Sequence, residues 1–348
     1  MNRNVWQRYR WPVHALITAL FVALLFWRVD LIEAMPRLRH VHPGWAALGA
    51  ALFAVSKLVQ AGRWRLLLWH RRPLPFGALA GIYLVAALAN TLVPLRGGDL
   101  LRVHLAARRF GIPRTELTAT VFAVETPLNW ATLIVTVALA SLVADLKIIS
   151  PATVVLLLAG LALGLPLALL AASIDRTRDF AEIPPLRWLP RPPRRALAER
   201  VPQFLHGMHA LRSPGLGAAL VALGMLIWLV EVGVYWSLAV AFGLPVRLLD
   251  ALLAMVGANL VLSLPLTPAH VGPYHVVVTE ILVLRAIERA AAGAFAVGAH
   301  LVLLLTTNAL GILSTWALGL GPHDLIAPHR EREAAEEPVA SRSTRFRD

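Results

Sequence analysis

An apolar stretch that begins near residue 76 runs into Pro94, Arg96, Gly97, Gly98 and Asp99, and Arg102, Arg108 and Arg109 follow. Charged groups are costly at bilayer depth, and where they occur they mark function by default. A helix starting near Asp99 would aim its free N–H groups and the positive end of its dipole at this turn, and two glycines would let a phosphate approach the backbone. Arg96 offers a planar, permanently charged partner for a phosphodiester, and Arg102 a second one. Asp99 can cap the helix and orient either arginine. Glu125 lies inside the apolar block 115–144, where it can pair with an arginine of the turn, hold a cationic headgroup or exchange a proton. The competing readings are a full span that ends in a basic Gly–Asp-capped loop, and for Glu125 a protonated structural side chain beside Pro127.

A second break has a different character. The block 248–266 meets Pro265, Pro268, His270, Gly272, Pro273, Tyr274 and His275 before apolar residues resume at 276–284. The prolines stop a helix and Gly272 permits a close backbone approach. His270, Tyr274 and His275 are expected to line a wet vestibule, and His300 and Glu231 lie inside neighbouring apolar blocks. The histidines lack metal-site spacing, so no metal and no cofactor is expected. Asn259 and Asn308 read as hydrogen bonds between helices. No nucleophile elbow, Walker loop or dinucleotide fingerprint is present, which argues against hydrolytic and ATP-driven chemistry and for a protein that is not an enzyme.

The elements that must position these groups are membrane helices. The 348 residues are 58% hydrophobic and 15% charged, with mean hydropathy +0.66. Apolar residues arrive in blocks of about 18–28, enough to cross a hydrocarbon core of roughly 30 Å. The formal charge of +13 is spread over short inter-block loops and both ends, as positive-inside bias produces, with no basic stripe that suits nucleic acid. Cysteine is absent, which excludes disulfides and thiol catalysis.

Arg3, Arg8 and Arg10 place the N-terminus in the cytoplasm, and the first block, 12–28, reads as a retained span rather than a cleaved leader. Block 44–62 returns to a basic turn holding Arg63, Arg65, Arg71 and Arg72, with Lys57 snorkelling toward it. If 76–95 crossed completely, the arginines from 96 to 114 would lie outside. A helix that enters, turns at 94–98 and returns over 99–110 avoids this, and such backbone is tolerated only beside protein or a water-filled cavity. Spans at 115–144 and 151–172, a Pro/Arg-rich linker, spans at 215–242 and 291–319 and a polar tail complete the chain. Pro94-Leu95 echoes Pro265-Leu266, and Phe122-Ala123-Val124 echoes Phe295-Ala296-Val297, at nearly equal offsets, as an internal repeat would.

These residues resemble the lysylphosphatidylglycerol synthase transmembrane-region family, the flippase part of the multiple peptide resistance factor proteins. Pro94, Gly98, Asp99, Arg102 and Glu125 fill the places of its first hallmark, with Asp99 for the commoner Glu and Thr126 where an Arg is expected. Pro265, Pro268, Gly272 and Tyr274 fill the second, with His275 in the place of a Glu. The resemblance implies a two-hairpin fold that moves lipids between leaflets, in a stand-alone member without the aminoacyl-transferase domain.

The expected fold class is an all-α polytopic membrane protein with about six full transmembrane helices and two oppositely oriented re-entrant hairpins, inverted-repeat-like. Residues 1–173 would form one membrane half with its hairpin at 76–112, and 174–213 the cytoplasmic linker. Residues 214–320 would form the other half with its hairpin at 248–286, and 321–348 a disordered cytoplasmic tail. The expected activity is flipping or scrambling of a phosphate-bearing, anionic or aminoacylated lipid in a bacterial inner membrane, both termini cytoplasmic. Expected partners are a membrane phospholipid or a polyprenyl-phosphate lipid, and the chain is compatible with a homo-oligomer or a lipid-modifying enzyme as neighbour. The alternatives are an ion-coupled carrier of a small anion, an intramembrane enzyme, or a non-catalytic membrane partner of a lipid- or glycan-modifying enzyme.

Overall fold

The computed structural model describes residues 40–69, 74–92, 97–143, 191–263 and 268–321. The expected spans 12–28 and 151–172, the linker up to 190, Pro94, Arg96, Pro265 and the tail from 322 lie outside the described residues.

Every regular element among the described residues is helical. In chain order these are α1 Pro43–Leu67, α2 Phe76–Leu92, α3 Gly97–Phe110 and α4 Arg114–Thr118, which continues through a π-helical segment Ala119–Glu125 into α5 Thr126–Val143. After them come α6 Arg191–Gly207, a 3-10 turn His209–Arg212, α7 Pro214–Ala241 and α8 Leu248–Leu262. A 3-10 turn Pro268–His270, α9 Pro273–Leu284 and α10 Arg289–Ala317 complete the set. Helix starts follow from local sequence: Pro43 and Pro214 occupy the first turn, where a missing N–H costs nothing, and Ser213 Oγ accepts the Leu216 N–H.

Among the described residues four helices are long and apolar enough to cross a membrane: Pro43–Leu67, Arg114–Leu139, Pro214–Ala241 and Arg289–Ala317. α2, α8 and α9 are apolar but shorter, at 17, 15 and 12 residues, or roughly 18–26 Å at 1.5 Å per residue. The helices therefore recur as long, short, short, long from α1 to α5 and again from α7 to α10. The two leading helices, α1 and α7, lie side by side and antiparallel. His42 N–H, at the start of α1, donates to Ala241 O at the end of α7 over 2.8 Å, and Ser56 of α1 meets Glu231 of α7 farther along.

Each pair of short helices folds back on itself. α3 packs along α2, and the contact is tight at Gly98, where a Cβ would stand 2.0 Å from Ala86 O and 2.7 Å from Asn90 Oδ1. Only glycine fits there, and its N–H donates to Asn90 Oδ1 at 2.8 Å. α8 and α9 pack on each other in the same way. α10 runs beside α2, joined by a hydrogen bond from Thr91 to Asn308 Oδ1 at 3.0 Å.

Two sequence expectations are corrected at this level. α1 does not end at 62 but runs to Leu67, so Arg63 belongs to the helix and is fully buried instead of standing in a basic turn. Lys57 does not reach toward that turn, because its ammonium lies 3.8 Å from Glu231 Oε1. The physical reason is common to both: each cation finds a buried carboxylate on another helix, which offsets the desolvation that snorkelling would otherwise relieve.

Candidate functional site

The centre of the site is Arg102, on the second turn of α3 and 3% exposed. The guanidinium carbon lies 4.9 Å from the ring centroids of both Trp64, on α1, and Tyr83, on α2. Aromatic faces attract a cation by their quadrupole while excluding water from it. At the edge of the guanidinium, Nη1 donates to Glu125 Oε1 at 3.3 Å and Nη2 lies 3.0 Å from Oε2. Asp99 Oδ1, one turn back on the same helix, is 3.6 Å from Nη2.

Glu125 owes its position to the proline that follows it closely. Pro127 has no N–H to give to the carbonyl four residues back. Instead the backbone widens, and the Thr126 N–H reaches Val121 O, five residues away, at the end of the π-helical segment. Insertions of this kind occur at functional sites. Thr126 Oγ1 also donates to Val121 O at 2.9 Å, which uses the hydroxyl locally. Behind Glu125 stands Arg63, whose Nη2 lies 3.8 Å from Glu125 Oε1 and donates to Asn129 Oδ1. Arg63 Nε and Nη1 are buried and have no hydrogen-bond partner among the described residues.

A second carboxylate sits deeper along α1 and α7. Glu231 Oε1 accepts from Ser56 Oγ at 3.0 Å and Gln60 Nε2 at 3.2 Å, and Oε2 accepts from Asn259 Nδ2 at 3.4 Å. Gln60 Oε1 in turn accepts the Tyr83 hydroxyl at 2.6 Å. The two bonds fix the orientation of the Gln60 amide, and through Tyr83 they join Glu231 to the ring that covers Arg102.

The break after α8 closes on itself in the left-handed region of backbone space, with Ala269 at φ 49°, His270 at φ 56° and Gly272 at φ 93°. From this turn α9 starts with Pro273, and His275 Nδ1 accepts the Gly272 N–H at 3.2 Å. The His275 proton therefore sits on Nε2, which faces His300 Nδ1 at 3.1 Å. Tyr274 stacks on His300 with centroids 4.4 Å apart, and its hydroxyl is 3.1 Å from that of Tyr235.

These groups surround one cavity of about 300 Å³. Of the residues expected to act, Asp99, Arg102, Glu125, His270 and Tyr274 line it. Gly98 serves the packing of α3 on α2, and its N–H is committed to Asn90. Gly97 opens α3, Gly272 holds the turn, and His275 stands behind the lining as a cap for α9. Arg96 lies outside the described residues. His275 thus does for α9 what a Glu at the third helical position does in a capping box. Among the described residues no group of three His, Asp or Glu side chains is placed to hold a metal ion.

Sequence reading missed Arg63, Gln60 and Tyr83. Gln60 and Tyr83 carry no anomaly in an apolar helix. Arg63 sits in a run of arginines that looks like a loop. A usable signal was the spacing of Ser56, Gln60 and Arg63, which shares one helical face. Asn259 and Asn308 make the inter-helix bonds expected of them.

The family model described as "Lysylphosphatidylglycerol synthase TM region" matches residues 12–311. No curated protein and no solved structure matches the chain.

Proposed function

The chain belongs to the lysylphosphatidylglycerol synthase transmembrane-region family, and from that membership and the chemistry of the cavity we propose a lipid flippase or scramblase that moves a phosphate-bearing headgroup between leaflets. It acts as a transporter and not as an enzyme. α2–α3 and α8–α9 are re-entrant hairpins of an inverted repeat, in a bacterial inner membrane with both termini cytoplasmic. The antiparallel pairing of the equivalent helices α1 and α7 supports the inversion, because repeats that cross the bilayer in opposite senses must place their leading helices this way.

The observation that carries the reading is Arg102: a guanidinium stripped of water by Trp64 and Tyr83, edged by Glu125 and Asp99, and facing a cavity of about 300 Å³. That volume suits a phosphoglycerol-sized headgroup and leaves no room for acyl chains, which remain in the bilayer. A phosphodiester takes the edge of Arg102 from Glu125, two oxygens replacing two. The displaced carboxylate turns to Arg63, 3.8 Å away, whose Nε and Nη1 have no partner among the described residues. Neither charge is left bare during the exchange, which keeps its barrier low. His270 and Tyr274 line the side of the cavity nearer the second hairpin.

The test is fluorescent phospholipid in proteoliposomes, with dithionite reporting the outer leaflet. The protein should accelerate exchange of a phosphatidylglycerol probe over empty vesicles. A rate equal to that of empty vesicles for anionic, zwitterionic and polyprenyl-phosphate probes alike would overturn the reading.

A further inference from the structure

The phosphate site leaves Glu231 without a task, although it is buried in the middle of a 28-residue apolar helix and lines the same cavity. Resting on the lipid-phosphate reading above, we propose that Glu231 takes up one proton each time the cavity binds a phosphodiester anion, so that anion and proton cross together.

The first ground is charge. Among the described residues the cavity is lined by the cations Lys57 and Arg102 and the anions Asp99, Glu125 and Glu231, and Arg63 stands behind Glu125, so the ion network as a whole balances. A phosphodiester monoanion brings this buried set to an excess of one negative charge. In a low-dielectric site an uncompensated charge is costly, and one proton removes it.

The second ground is which carboxylate gives way. Glu125 has two arginines, at 3.0 and 3.8 Å. Asp99 has Arg102 at 3.6 Å, and its side chain is the more exposed, at 17% against 8% for Glu231. Glu231 has one cation, Lys57, at 3.8 Å, and its hydrogen bonds all come from neutral donors. Among the described residues its Oε2 accepts only the 3.4 Å bond from Asn259. The proton therefore adds to Oε2 from water in the cavity, converting the carboxylate to the acid, and it leaves to water on the other side when the anion departs.

Protonation also releases Lys57. Its ammonium, now held between Glu231 and the Phe53 ring at 4.5 Å, becomes a free cation that draws the phosphate inward. Signal and site are joined by the chain Glu231, Gln60, Tyr83, Arg102.

Other titratable groups line the same cavity and define the rivals. They are Tyr83 on α2, Tyr235 on the same helix as Glu231 and Tyr274 on α9. His270 and His300 line the same cavity and could take the proton instead.

The experiment uses full-length protein in phosphatidylethanolamine–phosphatidylglycerol vesicles with a fluorescent phosphatidylglycerol probe and an internal pH dye. With a pH difference of one unit, coupling of one anion to one proton should enrich the probe about tenfold in the leaflet on the alkaline side. Exchange should not respond to a potassium-diffusion potential, because the cycle is neutral. Glu231→Gln should lose the pH-driven asymmetry, and the exchange it shows should become sensitive to potential. Exchange in the wild type without pH-driven asymmetry would overturn the proposal and leave the lipid reading standing. Asymmetry that survives in Glu231→Gln would also overturn it, and loss in His300→Gln would then assign the proton to the histidine. No exchange of any probe would overturn both. The wild-type arms decide the matter even if the variant fails to fold.

Discussion

Arg102 Nη2 lies 3.0 Å from Glu125 Oε2, and on the far side of the same carboxylate Arg63 Nη2 lies 3.8 Å from Oε1. Glu125 is shared, and the two partners are unequal, because Arg102 also has Asp99 while Arg63 has Asn129 and, among the described residues, two nitrogens without a hydrogen-bond partner. Removing the shared group leaves buried Arg63 without its carboxylate and Arg102 with Asp99 alone, whereas removing Arg102 leaves Glu125 with Arg63.

The variants should therefore separate. Glu125→Gln should destabilise the protein by about 3–5 kcal/mol, the cost of a buried charge left unpaired, seen as a lower thermal midpoint in detergent. Arg102→Gln should hold its midpoint much more closely while lipid exchange falls about 10- to 100-fold, the loss of a charge-assisted hydrogen bond to phosphate. Arg102→Lys should not rescue exchange, since an ammonium cannot present a planar edge between Trp64 and Tyr83. Equal midpoints for Glu125→Gln and wild type would contradict the sharing.

How much of this was legible depends on how unusual each residue is in its surroundings. Arg102 and Glu125 are ions inside apolar blocks, an anomaly that a single sequence displays, and their pairing follows from cost. Arg63 is as buried as either, yet neighbouring Arg65, Arg71 and Arg72 made it look like part of a loop. What holds it inside is a carboxylate 62 positions on along the chain, on another helix, which no local window contains. The interruptions that follow α2 and α8 were legible from glycine and proline, and the fold-back of α3 on α2 follows from the first. The cap made by His275 was not, because it depends on the φ of Gly272 turning that N–H toward the ring. Gly98 was legible as a glycine but assigned to ligand access, when the nearest obstacle to a side chain is the α2 backbone.

That assignment gives a prediction of its own. At Gly98 an added methyl would stand 2.0 Å from a backbone oxygen that cannot move without bending α2. Gly98→Ala should push the helices apart and lower stability by about 1–3 kcal/mol. For comparison, no described residue lies within 4 Å of a Cβ at Gly77 on the same helix pair, so Gly77→Ala should be neutral or slightly stabilising. A thermal shift in detergent that is the same for both would mean that the hairpin is not closed at Gly98.

The second hairpin makes a matching claim about chemistry instead of space. His275 Nδ1 accepts the Gly272 N–H, and a glutamate at that position can accept it too. His275→Glu should therefore keep the thermal midpoint near that of wild type, and His275→Ala should lose about 1 kcal/mol, the usual worth of an N-terminal cap. If alanine and glutamate variants lose the same stability, the ring acts through His300 and not through the cap.

The sharpest prediction concerns the side of the membrane reached by Arg109. It is exposed at the last turn of α3, and since α3 doubles back along α2 from Gly98, Arg109 lies toward the same end of the pair as Gly77. The chain has no cysteine, so Gly77→Cys and Arg109→Cys each introduce a unique thiol. A re-entrant α2–α3 pair requires both to react with an impermeant maleimide from the same face, the cytoplasmic one by the charge bias of the loops. A complete crossing by α2 requires opposite faces. Labelling of Arg109→Cys from outside and of Gly77→Cys from inside would remove the hairpin. With it would go the argument that Arg102 and Glu125 sit at membrane depth beside a cavity, whatever the lipid assay returned.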